Sequence, residues 1–236
     1  MNTALIVEPR DMSRIPLIIN HFTFRLGDTW KLVFYCGKGL KEKWALKVNK
    51  TVEIRELDTN NLNSREYSDL LKKKDLWDTL YGEYVLVFQT DAWIMNQEPY
   101  TIDYFIKKNV SYIGGNMSYR WLELNFKTNF WNYNGGLSLR KRKDMIKIIE
   151  TFPPQLTAHN PKNIHDIPSM ESSAEDVYFV RGCYLLDLDS GDSDESCGHF
   201  AIHAIFHKSA FGIHKPIDNI KQEVINFYPE IQTAYI

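Results

Sequence analysis

The sequence predicts an α/β protein, with a mixed, mostly parallel sheet flanked by helices. Three observations carry that expectation. Short apolar runs of strand length alternate with segments of helical period from Ala4 to Phe152. One run, Tyr84-Val-Leu-Val-Phe88, is apolar throughout, as a strand buried on both faces must be. The chain has 236 residues, 44% of them hydrophobic and 14% aromatic, which supplies a sizeable core and excludes disordered, collagen-like and low-complexity classes.

The elements follow in order. Ala4 to Val7 is the first strand. Ser13 is then an N-cap with Pro16 in the first turn, and Ile15, Ile18, Ile19, Phe22 and Leu26 form the apolar stripe of a helix. Leu32 to Cys36 and Val52 to Leu57 are further strands, and Tyr67, Leu70, Leu71, Trp77, Leu80 and Tyr81 recur at helical spacing. The buried strand Tyr84 to Phe88 ends in Gln89-Thr90-Asp91. Strands at Ser111 to Gly114 and around Gly136 to Leu139 precede a helix carrying Met145, Ile148, Ile149 and Phe152. Beyond it, Pro153, Pro154, Pro161 and Pro168 mark a long connection rather than a new core, so residues 1–236 are expected to form one domain. Within it, 187–198 is an acidic surface loop, whose alternating carboxylates lack the EF-hand order of Gly and closing Glu.

Lys and Arg number 28 against 30 Asp and Glu, a formal charge of −2, so there is no global basic field to gather nucleic acid or anionic lipid. Cys36, Cys183 and Cys197 show no CxxC pairing and suit reduced thiols in a cytoplasmic setting. The N-terminus lacks a basic region before its apolar run, and no window reaches the ~18 apolar residues of a membrane span. The P-loop, GxGxxG, GxSxG and HExxH motifs are also missing from the sequence.

What remains are acids and histidines at element ends. In an open α/β sheet, ligands bind beyond the carboxyl ends of the strands, where the buried run delivers Asp91. A carboxylate there either holds a divalent cation against phosphate oxygens or caps a turn. His214 in Phe211-Gly-Ile-His-Lys-Pro216 is a candidate partner, with Lys215 beside it for a phosphate. His199, His203 and His207 stand at i, i+4 and i+8, on one face of a helix used for packing or for a metal. Asn134-Gly135-Gly136 lets a ligand approach the backbone closely or simply turns the chain. Arg140-Lys-Arg-Lys143 is a solvated basic face or a phosphate contact, and Glu175-Asp176 is a helix start or a catalytic base. Trp93, Tyr119, Trp121, Trp131 and Tyr133 are available for stacking on sugar faces or for the core.

Together and in order, Ile6-Val-Glu-Pro-Arg10, Tyr67-Ser68 with Leu71, Phe88-Gln-Thr-Asp91, Tyr112-Ile-Gly-Gly115, Asn134 to Arg140, Glu175-Asp176 and Phe211 to Pro216 resemble a family regarded as GT-A-fold glycosyltransferases. That family is catalogued as a domain of unknown function, with members in large DNA viruses, fungi and bacteria. The resemblance spans residues 4 to 216. It implies a single GT-A-like domain binding a nucleotide-sugar donor, with Mn²⁺ or Mg²⁺ as cofactor, a glycan or protein acceptor, and a viral or host-cytoplasmic setting. Asp91 and His214 would be metal ligands, with Gln89 standing where the family type has the first acid of Asp-x-Asp. Val7, Glu8, Pro9 and Arg10 would hold base and ribose. Tyr67, Gln89, Thr90 and Asp91 would line the donor site, Asn134, Gly135 and Gly136 would hold the sugar, and Lys215 would contact the diphosphate. Asp176, with Glu175 as the alternative, would be the base of an inverting transfer. A non-catalytic carbohydrate- or nucleotide-binding module and a nucleotidyltransferase are the competing expectations.

Overall fold

The computed structural model describes residues 1–95, 98–116, 133–154, 174–190 and 198–232. The first apolar run becomes strand β1 (Asn2–Glu8), buried from Thr3 onward. Helix α1 (Ile15–Leu26) buries the whole expected stripe. Arg14, not Ser13, occupies the N-cap position and makes no side-chain bond there, while Pro16 in the first turn has no N–H to satisfy. The Ser13 expectation is therefore corrected.

Strands β2 (Trp30–Cys36) and β3 (Glu53–Glu56) follow, with a short α2 (Lys41–Ala45) between them that the pattern did not predict. The single helix expected over Tyr67 to Tyr81 is two helices, α3 (Ser64–Leu71) and α4 (Lys74–Asp78). Asn63 and Glu66 form a reciprocal capping box at the start of α3. The break has a buried reason: the Trp77 indole N–H donates back to the Leu71 carbonyl at 2.7 Å, satisfying an end that the helix leaves open.

Then come β4 (Tyr84–Phe88), wholly buried, and β5 (Ala92–Ile94). Helix α5 (Ile102–Lys107), strands β6 (Tyr112–Asn116) and β7 (Tyr133–Lys141), and helices α6 (Arg142–Thr151) and α7 (Glu175–Leu185) follow. The described chain closes with β8 (Ala201–Ile202), β9 (Gly212–His214) and α8 (Asp218–Phe227). Tyr119, Trp121, Trp131, Pro161, Pro168 and Cys197 lie outside the described residues, as do 191–197 of the expected acidic loop and the side chain of Tyr133.

The main sheet has six strands in the order β3-β2-β1-β4-β7-β6. β3, β2, β1 and β4 are mutually parallel, and β7 pairs antiparallel with both β4 and β6, so β7 alone opposes the other five. The expectation of a mixed, mostly parallel sheet is met. A second sheet, β5-β9-β8, pairs Ala92 with His214. Phe22 of α1 stacks on Phe88 of β4 with centroids 3.7 Å apart, and Trp77 meets Phe179 of α7 edge to face. Among the described residues, no helix is long and apolar enough to cross a membrane.

Because Phe22 and Phe88 are both fully buried and stacked, Phe22→Ala is expected to remove about 3–5 kcal/mol of stability. Urea unfolding measures it, and a loss below about 1 kcal/mol would contradict the packing described.

Candidate functional site

The reversal of β7 builds the site. Its N-terminal residues lie beside the carboxyl end of β4, where the Gln89 N–H donates to the Gly136 carbonyl at 2.9 Å. The pairing with β6 slips there: Gly114 opposes Ser138 but Gly115 opposes Asn134, so residues 135–137 bulge from the ladder. Ser138 Oγ donates to the Gly135 carbonyl at 3.1 Å, and the Asn134 side-chain oxygen accepts the Gly136 N–H at 2.8 Å, fixing the bulge.

The two glycines are required by neighbours. A Cβ on Gly135 would stand 2.2 Å from Glu175 Oε1, and one on Gly136 would stand 2.1 Å from His214 Nε2. The room that their missing side chains leave is taken by Glu175 and His214. Both backbones still line a cavity of about 460 Å³ that Gln89, Asp176, His203 and Lys215 also face.

His214 Nε2 lies 3.1 Å from Asp91 Oδ1 and 3.3 Å from Gln89 Oε1. Among the described residues His214 Nδ1, also buried, makes no hydrogen bond. Burial works to raise the Asp91 carboxyl, but His214, a backbone N–H and Lys215 together outweigh it and hold the carboxyl below the ordinary range. The Lys215 N–H donates to the Asp91 carbonyl at 3.2 Å from a left-handed backbone, φ 39°. An imidazole nitrogen with a carboxylate oxygen and an amide oxygen within 3.3 Å of it is a fitting donor set for Mn²⁺ or Mg²⁺. Among the described residues, no group of three or more His, Cys, Asp or Glu side chains forms such a set.

The same cavity is lined by the start of α7, which opens with Glu175 and Asp176, as expected; Glu175 is buried and Asp176 half-buried. Asp176 accepts the Gly135 N–H at 3.0 Å and the Val177 N–H at 2.7 Å. Burial and then the adjacent Glu175 carboxylate push the Asp176 carboxyl up to about 7, against the pull of those donors and Arg140. Arg140 lies entirely inside the protein, 2.9 Å from Glu175 Oε1 and 2.9 Å from Ser138 Oγ. The reading of Arg140 as part of a solvated basic face or a phosphate contact is thereby corrected. It shares a strand face with Ser138, and a cation at an inward-facing strand position demands a buried anion, which is the signal that was there to read.

The other predicted residues divide. Val7 and Pro9 are buried, with the Pro9 carbonyl packed on Gly37, while the Arg10 guanidinium is held by two oxygens of Glu8, which with Asp91 raises its pKa. Thr90 is buried, and the Tyr67 hydroxyl lies inside, against Gln89 and Glu175. Trp93 stacks on His21 at 3.5 Å within the protein, so it offers no face to a sugar. The three histidines do not share a helix. Strand β8 intervenes, His199 stacks on Tyr100 and leans toward His207, and His203 alone joins the cavity, its Nδ1 3.0 Å from the His214 carbonyl. Burial lowers the His203 pKa.

A family model described as "Protein of unknown function (DUF5672)" matches residues 51–214. No curated protein matches the chain. Among solved structures, the chain is similar to the crystal structure of HddC from Yersinia pseudotuberculosis, at 11% identity and a TM-score of 0.43, covering 73% of this chain and 84% of that one.

Two outcomes follow from the geometry. Gly136→Ala forces the His214 ring aside and is expected to cost about 1–3 kcal/mol, seen in unfolding curves together with a moved His214 signal in NMR. Asp176, raised from 3.8 to about 7 by folding, contributes stability that is complete below its unfolded value and is lost as the pH rises through about 7. Asp176→Asn should flatten that part of the stability–pH curve, and an unchanged slope would count against it.

Proposed function

The chain belongs to the DUF5672 family, proteins of unknown function, and from its site we propose that it is a glycosyltransferase on a GT-A-like scaffold. It would move a sugar from a nucleotide-sugar donor to an acceptor hydroxyl with inversion. One observation carries the reading: a single cavity is lined both by an acid poised near neutrality and by Gln89, His214 and Lys215, with Asp91 3.1 Å from the His214 imidazole. The volume, about 460 Å³, suits a small-molecule ligand.

Inverting transfer makes the two demands that these groups answer. Asp176 takes the proton of the acceptor hydroxyl, whose oxygen forms the new bond to the anomeric carbon as the bond to the diphosphate breaks on the opposite face. A base working at neutral pH is most effective with a pKa close to it, and burial beside Glu175 supplies that. The departing nucleoside diphosphate accumulates negative charge, for which Lys215 offers a cation. Asp91, His214 and Gln89 are the residues that would hold Mn²⁺ or Mg²⁺. Bound there, the cation supplies neutralisation of the leaving group. Arg10, braced by Glu8 at the end of β1, extends the polar edge toward base and ribose.

Gln89 favours a second reading, a carbohydrate- or nucleotide-binding module without turnover, because it gives a neutral oxygen where the Asp-x-Asp pattern has a carboxylate. A panel of nucleotide sugars, each with and without Mn²⁺, separates the two. The expected result is a stabilisation of about 2.7 kcal/mol at a hundredfold excess of one donor over its Kd, followed by turnover that releases a nucleoside diphosphate. Asp176→Asn should lower kcat by about 10²–10⁴-fold while donor binding survives, and Asp91→Ala should lose the Mn²⁺-dependent part of binding. Donor binding with no turnover in the wild type would favour the module.

A further inference from the structure

Two carboxyls stand side by side at the start of α7, and the structure treats them unequally. Glu175 turns inward. Its Oε1 meets the Arg140 guanidinium at 2.9 Å and occupies the space over Gly135 that a Cβ would fill. Arg140 has no exposure, lies over the rings of Tyr112 and Phe179, and has Glu175 as its ion-pair partner among the described residues. A guanidinium keeps its charge at all working pH values, so burying one requires an anion that stays with it. Asp176 is bound differently, by two backbone N–H groups that hold its carboxyl in place without carrying a full opposing charge.

We propose that Arg140 and Glu175 form a positioning device for Asp176: the guanidinium fixes Glu175 as the permanent anion of the acid pair, leaving Asp176 as the carboxyl that trades a proton with the cavity. This division rests on the reading of Asp176 as the base, and it removes Glu175 as the alternative. Arg140 and Glu175 touch no reacting atom; both act through their neighbour. The elevated proton affinity of Asp176 agrees with a fixed negative charge beside it. The remaining groups near Asp176 are Tyr112 of β6 and Tyr67 of α3, both hydroxyls raised by burial, with His203, His214, Lys215 and Asp218 lining the same cavity.

The test is NMR titration of the protein carrying ¹³C-carboxyl aspartate, with Asp176→Asn to assign the signal. In Glu175→Gln, which keeps the shape and removes the charge, the Asp176 pKa is expected to fall by about one pH unit or more. In Arg140→Lys, which keeps the positive charge but holds the anion less completely, it should fall as well, by a smaller amount. An Asp176 titration unmoved in a folded Glu175→Gln protein would overturn the proposal, and so would an unmoved titration in Arg140→Lys should the first variant fail to fold. Turnover supplies a second arm. Activity that persists in Glu175→Gln, with its acidic pH limb displaced in step with the NMR value, supports the device. Activity lost in Glu175→Gln but retained in Asp176→Asn would make Glu175 the base and overturn it. A wild type without turnover would sink the transferase reading, while the NMR shifts would still decide which acid is fixed.

Discussion

Strand β7 enters the sheet against the direction of the other five strands, so its first residues, rather than its last, lie beyond the carboxyl end of β4. Every contact at the cavity depends on that inversion. A parallel β7 would have carried Asn134, Gly135 and Gly136 to the far edge of the sheet, away from Gln89 and Asp91. The bulge at 135–137 then lifts the strand out of its ladder where α7 and β9 come in from either side. Arg140, further along the same strand, reaches back beneath the bulge to Glu175.

The result is a site assembled from long-range partners and held by short-range geometry. Asp91 and β5 are contiguous in sequence, and β5 pairs with β9, so the loop that presents the carboxylate and the strand that presents His214 lie side by side in one small sheet. The acid pair is anchored independently, through α7 packing on β7 and α6. Two rigid bodies of side chains thus meet across one glycine pair. Preorganisation of this kind keeps polar groups oriented without water to do it, the arrangement in which electrostatic effects are strongest.

Much of this was legible in the sequence, and the remainder was hidden for physical reasons. Asp91 could be placed because a fully apolar run followed by polar residues has a definite end, and strand ends are where ligands bind in such sheets. Glu175-Asp176 could be placed because acids favour helix starts. The direction of β7 could not, since alternation of side chains reads the same along a strand in either sense. The histidines at 199, 203 and 207 keep helical spacing, yet a strand of two residues, too short for any window, lies among them. Arg140 was masked by its company. Lys141, Arg142 and Lys143 follow it directly, and only the strand geometry shows that the first of the four turns inward while Arg142 reaches the Gly82 carbonyl.

The contact between Gly136 and His214 also bears on how such a chain can diverge. With so little space between the position-136 backbone and the imidazole, the two sites share one volume, and neither can change at random while the other is held. A lineage that kept histidine at 214 is confined to glycine at 136. One that lost it, along with any reason to hold a cation there, would be released to accept a larger residue opposite. Joint drift at these two positions would therefore serve as a historical record of which descendants kept that wall of the cavity in use and which abandoned it.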